Sequence, residues 1–483
     1  LAEIEQPVNI AIIGGGFCGI ITAMHLLRHD KTGLHVHIIN NGSAFGKGVA
    51  YSPHTCNLLL NVPNGRMGAF ADRPADYLDW LHKKYPGQDN STSSFSTRQQ
   101  YGEYLCELWD DAINNIPPGN AVTVYDDTAD DITGTGDQLQ IQLRHGGIIT
   151  AGKVVLATGN AKPRLPNGIH PSFTKNKRYF ADPWQNDCVS NIDGDILLIG
   201  NGLTTADTII GLIENGFERT IYSVSPHGYR LQPWVEDKMP YTGFSFADLP
   251  AGKISLHQLL KAFNKHRKIA NAASQSVYPV IDSLRPHIQK LWLGFDLYEK
   301  QRFLKYLKPY WEKVRHRLPV AMHQKINSLR SDSRFQPYKG QIVSVKEAGN
   351  VIEVLLNCDG ELKTVRVQRI INCTGPAPDI RHQENILLNN LVQKGLIAPG
   401  PCGLGINAGH KTGNVINPDG VQQANLYVAG SNLKGVLWET TAVPELRLQA
   451  QNLARHIIAA VSTKNRRVFE AVETNSQAGI LST

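Results

Sequence analysis

At 483 residues, 41% hydrophobic and 19% charged, the chain is too long for one ordinary core and has the composition of neither a disordered nor a fibrous protein. Its 49 lysines and arginines against 42 acids leave a charge of +7, which reads as spread along the chain. Such a balance suits anionic ligands such as nucleotide phosphates and makes no case for nucleic acid.

The first predicted elements are a strand from Val8, a turn with Gly14, Gly16 and Gly19 at G-x-G-x-x-G spacing, and a helix to Leu27 with Ile20, Ala23, Met24 and Leu27 on one face. Gly14 permits the tight turn, Gly16 lets backbone approach a pyrophosphate, and Gly19 lets helix and strand sit close. The helix N-terminus then faces the phosphates. LHVHIIN (34–40) reads as the second parallel strand, and Asn40 stands where a ribose-binding acid is usual. The strand at 153–160 ends in Ala157, Thr158 and Gly159, and a later one at 369–376 ends in Cys373, Thr374 and Gly375. Small residues there let backbone pass close to a cofactor.

A second copy of the turn lies at 194–213, with Gly200 and Gly202 before a helix opened by Thr204 and Thr205, the latter in place of the third glycine. Its second strand (219–225) leads into SPHGYR, where Ser225, His227 and Arg230 offer a hydroxyl and cations for a 2′-phosphate, favouring NADPH over NADH; the alternative is a solvated loop. From Leu256 to Arg330 helical spacing predicts an insertion, with Trp292, Phe303, Tyr310 and Trp311 read as its core. Arg315, His316 and Arg317 read either as holders of a carboxylate or phosphate or as a solvated basic face. Near the end, a strand (Leu426–Ala429), a turn at Gly430 and a long helix after Thr440 and Thr441 place a helix N-terminus where negative charge on a reduced flavin would develop.

These pieces predict an α/β fold with two Rossmann-like dinucleotide-binding domains. An FAD domain (1–165 and 366–465) encloses an NAD(P) domain (186–365) that carries a helical insertion (252–330), and a polar tail (466–483) is expected to be peripheral or partly disordered. No run approaches the roughly 18–20 apolar residues of a membrane span. The cysteines (Cys18, Cys56, Cys106, Cys188, Cys358, Cys373, Cys402) include no C-x-x-C, so no metal, no redox disulfide, no membrane partner and a cytoplasmic location are expected. The start at Leu1 rather than methionine implies a trimmed terminus.

The run AFGKGVAYSPHTCNLLLNVPNGRMGAFADRPADYLDWL (44–81), with STRQQYGEYL (96–105), FADPW (180–184), VIDSLRP (280–286), FLKYLKPYWEKVRHRLP (303–319) and LWETTAVPELRLQA (437–450), resembles a bacterial family of FAD/NAD(P)-binding oxidoreductases. The resemblance extends from Val8 to Ala460, and most of the family lacks an assigned substrate. In layout it is similar to the class B flavin monooxygenases, including lysine and ornithine N-hydroxylases.

The resemblance implies tightly held FAD and NAD(P)H as reductant, with Asn61, Arg66 and Met67 near the isoalloxazine and Trp184 in the linker. Class B enzymes hold F-x-G-x-x-x-H at that linker; YFADPWQND (179–187) has no histidine. The implied reaction oxygenates a small-molecule amine or sulfur after oxygen adds at flavin C4a, with Asn61, Arg66 and Trp184 acting by position alone. The alternatives are a flavin dehydrogenase or reductase without oxygen insertion, and a flavin-binding protein without turnover.

Overall fold

A computed structural model describes residues 7–29, 33–42, 45–52, 57–134, 136–185, 187–234, 241–244 and 253–480, with side chains described as far as 462. Cys56 and the start of the expected insertion at 252 lie outside the described residues.

The chain begins β1 (Val8–Ile13), α1 (Phe17–Leu27) and β2 (Leu34–Asn40), then crosses through α2 (Asp76–Lys84) and α3 (Arg98–Asn114) to β3 (Ala121–Asp126). An antiparallel meander of β4 (Ala129–Thr133), β5 (Leu139–Leu143) and β6 (Ile148–Ala151) leads to β7 (Lys153–Leu156). β1 pairs in parallel with β2 and β7, with Ile10 opposite Val36 and Lys153. Ile10, Ile12, Val36 and Ile38 are buried on one face under α1 and α3, while Ala11, Ile13 and Ile39 are buried on the other under the meander. Burial on both faces is why β1 reads as a continuous apolar run rather than an alternating one.

The same order then recurs. After the short β8 (Tyr179–Phe180) come β9 (Ile196–Ile199), α4 (Leu203–Glu214) and β10 (Ile221–Ser225). A long crossover follows, holding β11 (Gln232–Pro233), α5 (Leu256–Ala272), α6 (Tyr278–Leu284), α7 (Ile288–Gly294), α8 (Leu297–Arg302), α9 (Lys308–Arg315) and β12 (Arg317–Leu318). It ends in α10 (Val320–Ser331) and β13 (Phe335–Lys339), and a second meander, β14 (Gln341–Ala348), β15 (Val351–Cys358) and β16 (Glu361–Val367), returns to β17 (Arg369–Asn372). The sheet order β13-β10-β9-β17-β8 repeats β3-β2-β1-β7 of the first sheet.

α11 (Ile386–Gln393), β18 (Asn414–Ile416), β19 (Gln422–Val428), α12 (Lys434–Leu437) and α13 (Val443–Ile480) complete the chain. β19 joins the first sheet beside β7, so strands from the two ends of the chain flank a second sheet built from residues 179–372. The expected α/β class with two Rossmann-like units is therefore observed.

Three expectations need correction, and the tail one addition. The boundary at 366 cuts off β17, which pairs with β9 in the second sheet. α10 is that sheet's own crossover helix, with Leu329 packed beneath Ile196 and Ile371, rather than the end of the insertion. The tail expected at 466–483 has helical backbone, as part of α13, as far as Ile480. The basic excess is not spread: residues 253–318 hold fourteen lysines and arginines against four acids, a net +10 that leaves −3 for the rest.

Candidate functional site

Both glycine turns lie at the C-terminal ends of their first strands, where open parallel sheets bind ligands. Gly14 takes φ +111°, and a Cβ there would stand 2.2 Å from the Ala157 carbonyl oxygen. Gly19 is tighter still, with 1.9 Å to the Gly14 oxygen, so no side chain fits between helix and strand. Gly16 caps α1, and its Cβ would meet only Gly48, leaving the helix N-terminus approachable by phosphate. In the second turn a Cβ on Gly200 (φ +115°) would stand 2.6 Å from the Cys373 oxygen, and a Cβ on Gly202 would meet nothing within 4 Å. Thr205 faces the sheet, buried with Cys373, so it is a packing residue rather than one aimed at a ligand. Thr204 is half-buried in the first turn of α4.

Asn40 closes the turn: its Oδ1 accepts the Gly15 N–H at 3.0 Å and its Nδ2 donates to the Gly42 carbonyl. Gly159 is left-handed (φ +71°), and Thr158 Oγ1 accepts from Asn432 at 2.9 Å, tying the end of β7 to the segment after β19. Thr440 is not the expected cap. Its hydroxyl donates to the Gly430 carbonyl at 2.9 Å, and Gln449 accepts the Gly430 N–H at 2.6 Å, while α13 begins only at Val443 and Thr441 is exposed. Gly430 stands over Cys18, whose thiol burial pushes up to about 12, an inert packing atom.

Asn61 and Met67 lie in the crossover between β2 and α3. Met67 is buried in the core beneath α1, whereas the Asn61 carbonyl accepts from Trp234 and its buried Oδ1 has no partner among the described residues. An orphaned buried acceptor needs a donor from a ligand or water. With the two glycine cradles it fits a chain that holds dinucleotides. Trp184 packs with Leu58 against Ala206 and Ile210 of α4, between the two sheets.

At the second site Ser225 Oγ accepts the Gly228 N–H, and His227 and Arg230 lie beyond β10 with His227 stacked on Tyr229. Asn201 Nδ2 donates to the Tyr229 carbonyl at 2.6 Å, and Tyr310 from α9 packs 5.5 Å from the Tyr229 ring. Neither Asn201 nor Tyr229 was legible as a site residue, although Asn201 sits inside the glycine turn.

A cavity of about 910 Å³ runs along the first three turns of α13 between the two crossovers. Arg66 reaches into it with no ion pair among the described residues; enclosure and the neighbouring Arg285 pull its pKa below the usual arginine range. The opposite wall is the insertion, docked on the end of the first unit: Arg285 forms a forked pair with Glu445, Arg315 pairs with Glu439, and Gln289 donates to the Glu439 carbonyl. Arg317, 2% exposed, pairs with Asp282 and lies 3.9 Å from the Trp234 ring. Arg315 and Arg317 thus hold carboxylates of this chain and form no solvated face. Trp292 is core as expected, but it stacks on Trp438 outside the insertion, at 4.9 Å, and Tyr310 is exposed. Trp438 itself takes φ +61°, strained for a bulky residue, and its stack and the Trp292 Nε1 bond to the Gly435 carbonyl hold the turn before α13.

Residues 11–161 match the family described as FAD-NAD(P)-binding. Among curated proteins the chain is similar to salicylate hydroxylase of Pseudomonas putida, 26% identical over 149 residues, a stretch covering 29% of this chain and 33% of that one. Among solved structures it resembles ornithine hydroxylase from Pseudomonas aeruginosa (TM-score 0.65, 13% identity, 94% of this chain and 99% of that one). It also resembles bacillithiol disulfide reductase from Staphylococcus aureus (TM-score 0.53, 13% identity, 94% and 99%). At these identities the structures share a fold, and the fold is that of FAD- and NAD(P)-binding oxidoreductases. No described helix is long and apolar enough to cross a membrane.

Proposed function

We propose that the protein is an FAD-dependent oxidoreductase that takes hydride from NADPH and oxygenates a small-molecule amine or sulfur. The observation that carries this reading is the duplicated glycine turn, with Gly14 and Gly200 pressed against the carbonyls that end β7 and β17. Only a chain that binds two dinucleotides needs both cradles. Bound FAD supplies the hydride acceptor and the oxygen chemistry. The protein's share is positional. Gly16 and the α1 N-terminus receive one pyrophosphate, Gly202 and the α4 N-terminus the other, and Ser225, His227 and Arg230 the 2′-phosphate.

The buried Asn61 Oδ1 would accept a hydrogen bond from the bound group, and Arg66 brings a cation without an ion pair among the described residues to the cavity wall. The ornithine hydroxylase likeness supports an amine substrate, and separate free cysteines fit a cytoplasmic enzyme that needs no disulfide. The test is anaerobic reduction by NADPH, followed by 18O2 with a panel of amines and thioethers. Label in the product supports the reading. Reduction with unlabelled product or peroxide alone favours the reductase alternative, and no reduction by either nucleotide overturns both.

A further inference from the structure

Apart from the pairs made by the insertion, a buried charged pair joins the two units. Arg98 opens α3 of the first unit, and Asp207 lies in the second turn of α4, the helix that begins at the second glycine turn. Arg98 Nη2 meets Asp207 Oδ2 at 2.9 Å, with the side chains 11% and 3% exposed. The other arm of the fork donates to the Ala50 carbonyl at 3.1 Å, and the Arg98 backbone N–H donates to the Leu58 carbonyl. Both acceptors lie in the crossover that starts over the first glycine turn, where Gly46 N–H bonds the Gly15 carbonyl. Around the pair, Leu58 and Trp184 pack on Ala206 and Ile210. One guanidinium therefore ties the helix that receives the nicotinamide nucleotide to the loop that lines the flavin nucleotide.

Stability alone does not account for this choice. Burial raises the Asp207 pKa, and Arg98 opposes that shift without leaving either group satisfied: Arg98 Nε and Asp207 Oδ1 have no hydrogen-bond partner among the described residues. An apolar pair in the surrounding cluster would cost less desolvation. What the ion pair adds is direction, since a fork fixes angle as well as distance.

We propose that Arg98 and Asp207 are positioning residues that set how the nicotinamide-binding unit is held against the flavin-binding unit, and hence the geometry of hydride transfer. The inference rests on the NADPH–FAD reading above. Misplacement of reacting atoms by about 1 Å costs on the order of 100-fold in rate. In FAD-loaded protein, Asp207→Asn and Arg98→Gln should lower the limiting rate of anaerobic flavin reduction at least about tenfold, with NADP+ affinity within about threefold of wild type. FAD content and visible spectrum should stay unchanged. Hydrogen exchange should rise in 203–210 and 57–60 and not in the first meander. Asp207→Glu should restore part of the rate.

Leu391→Ala, in the core far from the pair, supplies a variant of matched instability and should reduce normally. The proposal is overturned if both variants reduce within about twofold of wild type, if Leu391→Ala shows the same loss, or if exchange rises throughout. A wild type that NADPH and NADH both fail to reduce sinks the parent reading as well, whereas failure confined to the comparison of variants leaves that reading intact.

Discussion

The two crossovers that follow β2 and β10 occupy the same place in the repeated topology and are fixed by different balances of neutral and charged bonds. The first is pinned by neutral hydrogen bonds: Asn64 Oδ1 accepts from the Ser96 backbone and hydroxyl, and its Nδ2 donates to Ser94. The second is pinned by charge, through Arg285–Glu445, Arg315–Glu439 and Arg317–Asp282. The difference follows from what each must do. The first crossover lies mostly against its own sheet, where short local bonds hold it, and Arg98 is its charged reach to the second unit. The second reaches across to α13, and long forked side chains bridge that distance while fixing angle.

The largest effect should come from the turns themselves. Gly14→Ala forces a Cβ to 2.2 Å from backbone at φ +111°, whereas Gly200→Ala meets its carbonyl at 2.6 Å. Strain and overpacking together cost about 4 kcal/mol at Gly14. Gly14→Ala should therefore lose FAD and melt far below wild type, and Gly200→Ala should retain FAD but reduce poorly with NADPH. Equal loss of FAD in both would break the assignment of one nucleotide to each turn. Next comes Asp282→Ala, which strands Arg317 in a site where it is 2% exposed. Removing one partner of a buried pair costs about 3 kcal/mol. Denaturant unfolding should show it, and should show about 2 kcal/mol or less for Asn64→Ala, whose orphaned partners are neutral.

A pH effect is expected in both units. Burial, and then His35 stacked 4.0 Å away, lower the His37 pKa to about 4, and burial lowers His25 to about 4. These two belong to the first unit, and in the second burial, and then Arg315, lower His316 to about 4 as well. Each stays neutral in the fold while the unfolded chain takes up a proton below about pH 6.5. Stability is thus complete above that pH, falls as the pH drops towards 4, and levels off below. His37→Gln, which keeps bonds to Asn9 and Tyr125, should flatten part of that slope in thermal melts.

The sequence made the turns legible because their constraint is local: Gly14, Gly16 and Gly19 answer to contacts within one strand, turn and helix. The two meanders and the membership of β17 were not legible, since strand partners are chosen by distant residues and a four-residue apolar run such as RIIN reads alike in either sheet. Arg315 and Arg317 looked like surface for the same reason. Their carboxylates, Glu439 and Asp282, lie far away in sequence, and nothing near them marks burial. Arg98 and Asp207 were likewise invisible, an unremarkable helix opener and a helical aspartate 109 residues apart.

The smallest predicted effect bears on the residue that ends each second strand. Asn40 and Ser225 are both spent on backbone, Asn40 accepting from Gly15 and Ser225 from Gly228. Loss of one such bond costs about 1 kcal/mol. Asn40→Ala should lower the melting temperature slightly and weaken FAD retention only through a looser turn, because Gly15 is the residue it holds. Asn40→Asp keeps the acceptor for the Gly15 N–H and adds the charge that ribose hydroxyls favour. If turn closure is what Asn40 contributes, the aspartate should bind FAD at least as tightly as wild type, measured by fluorescence on reconstituting apoprotein. Weaker binding by the aspartate than by the alanine would mean that the amide NH2 itself meets the nucleotide. The first unit would then recognise its ligand through a donor, where the second offers the hydroxyl of Ser225.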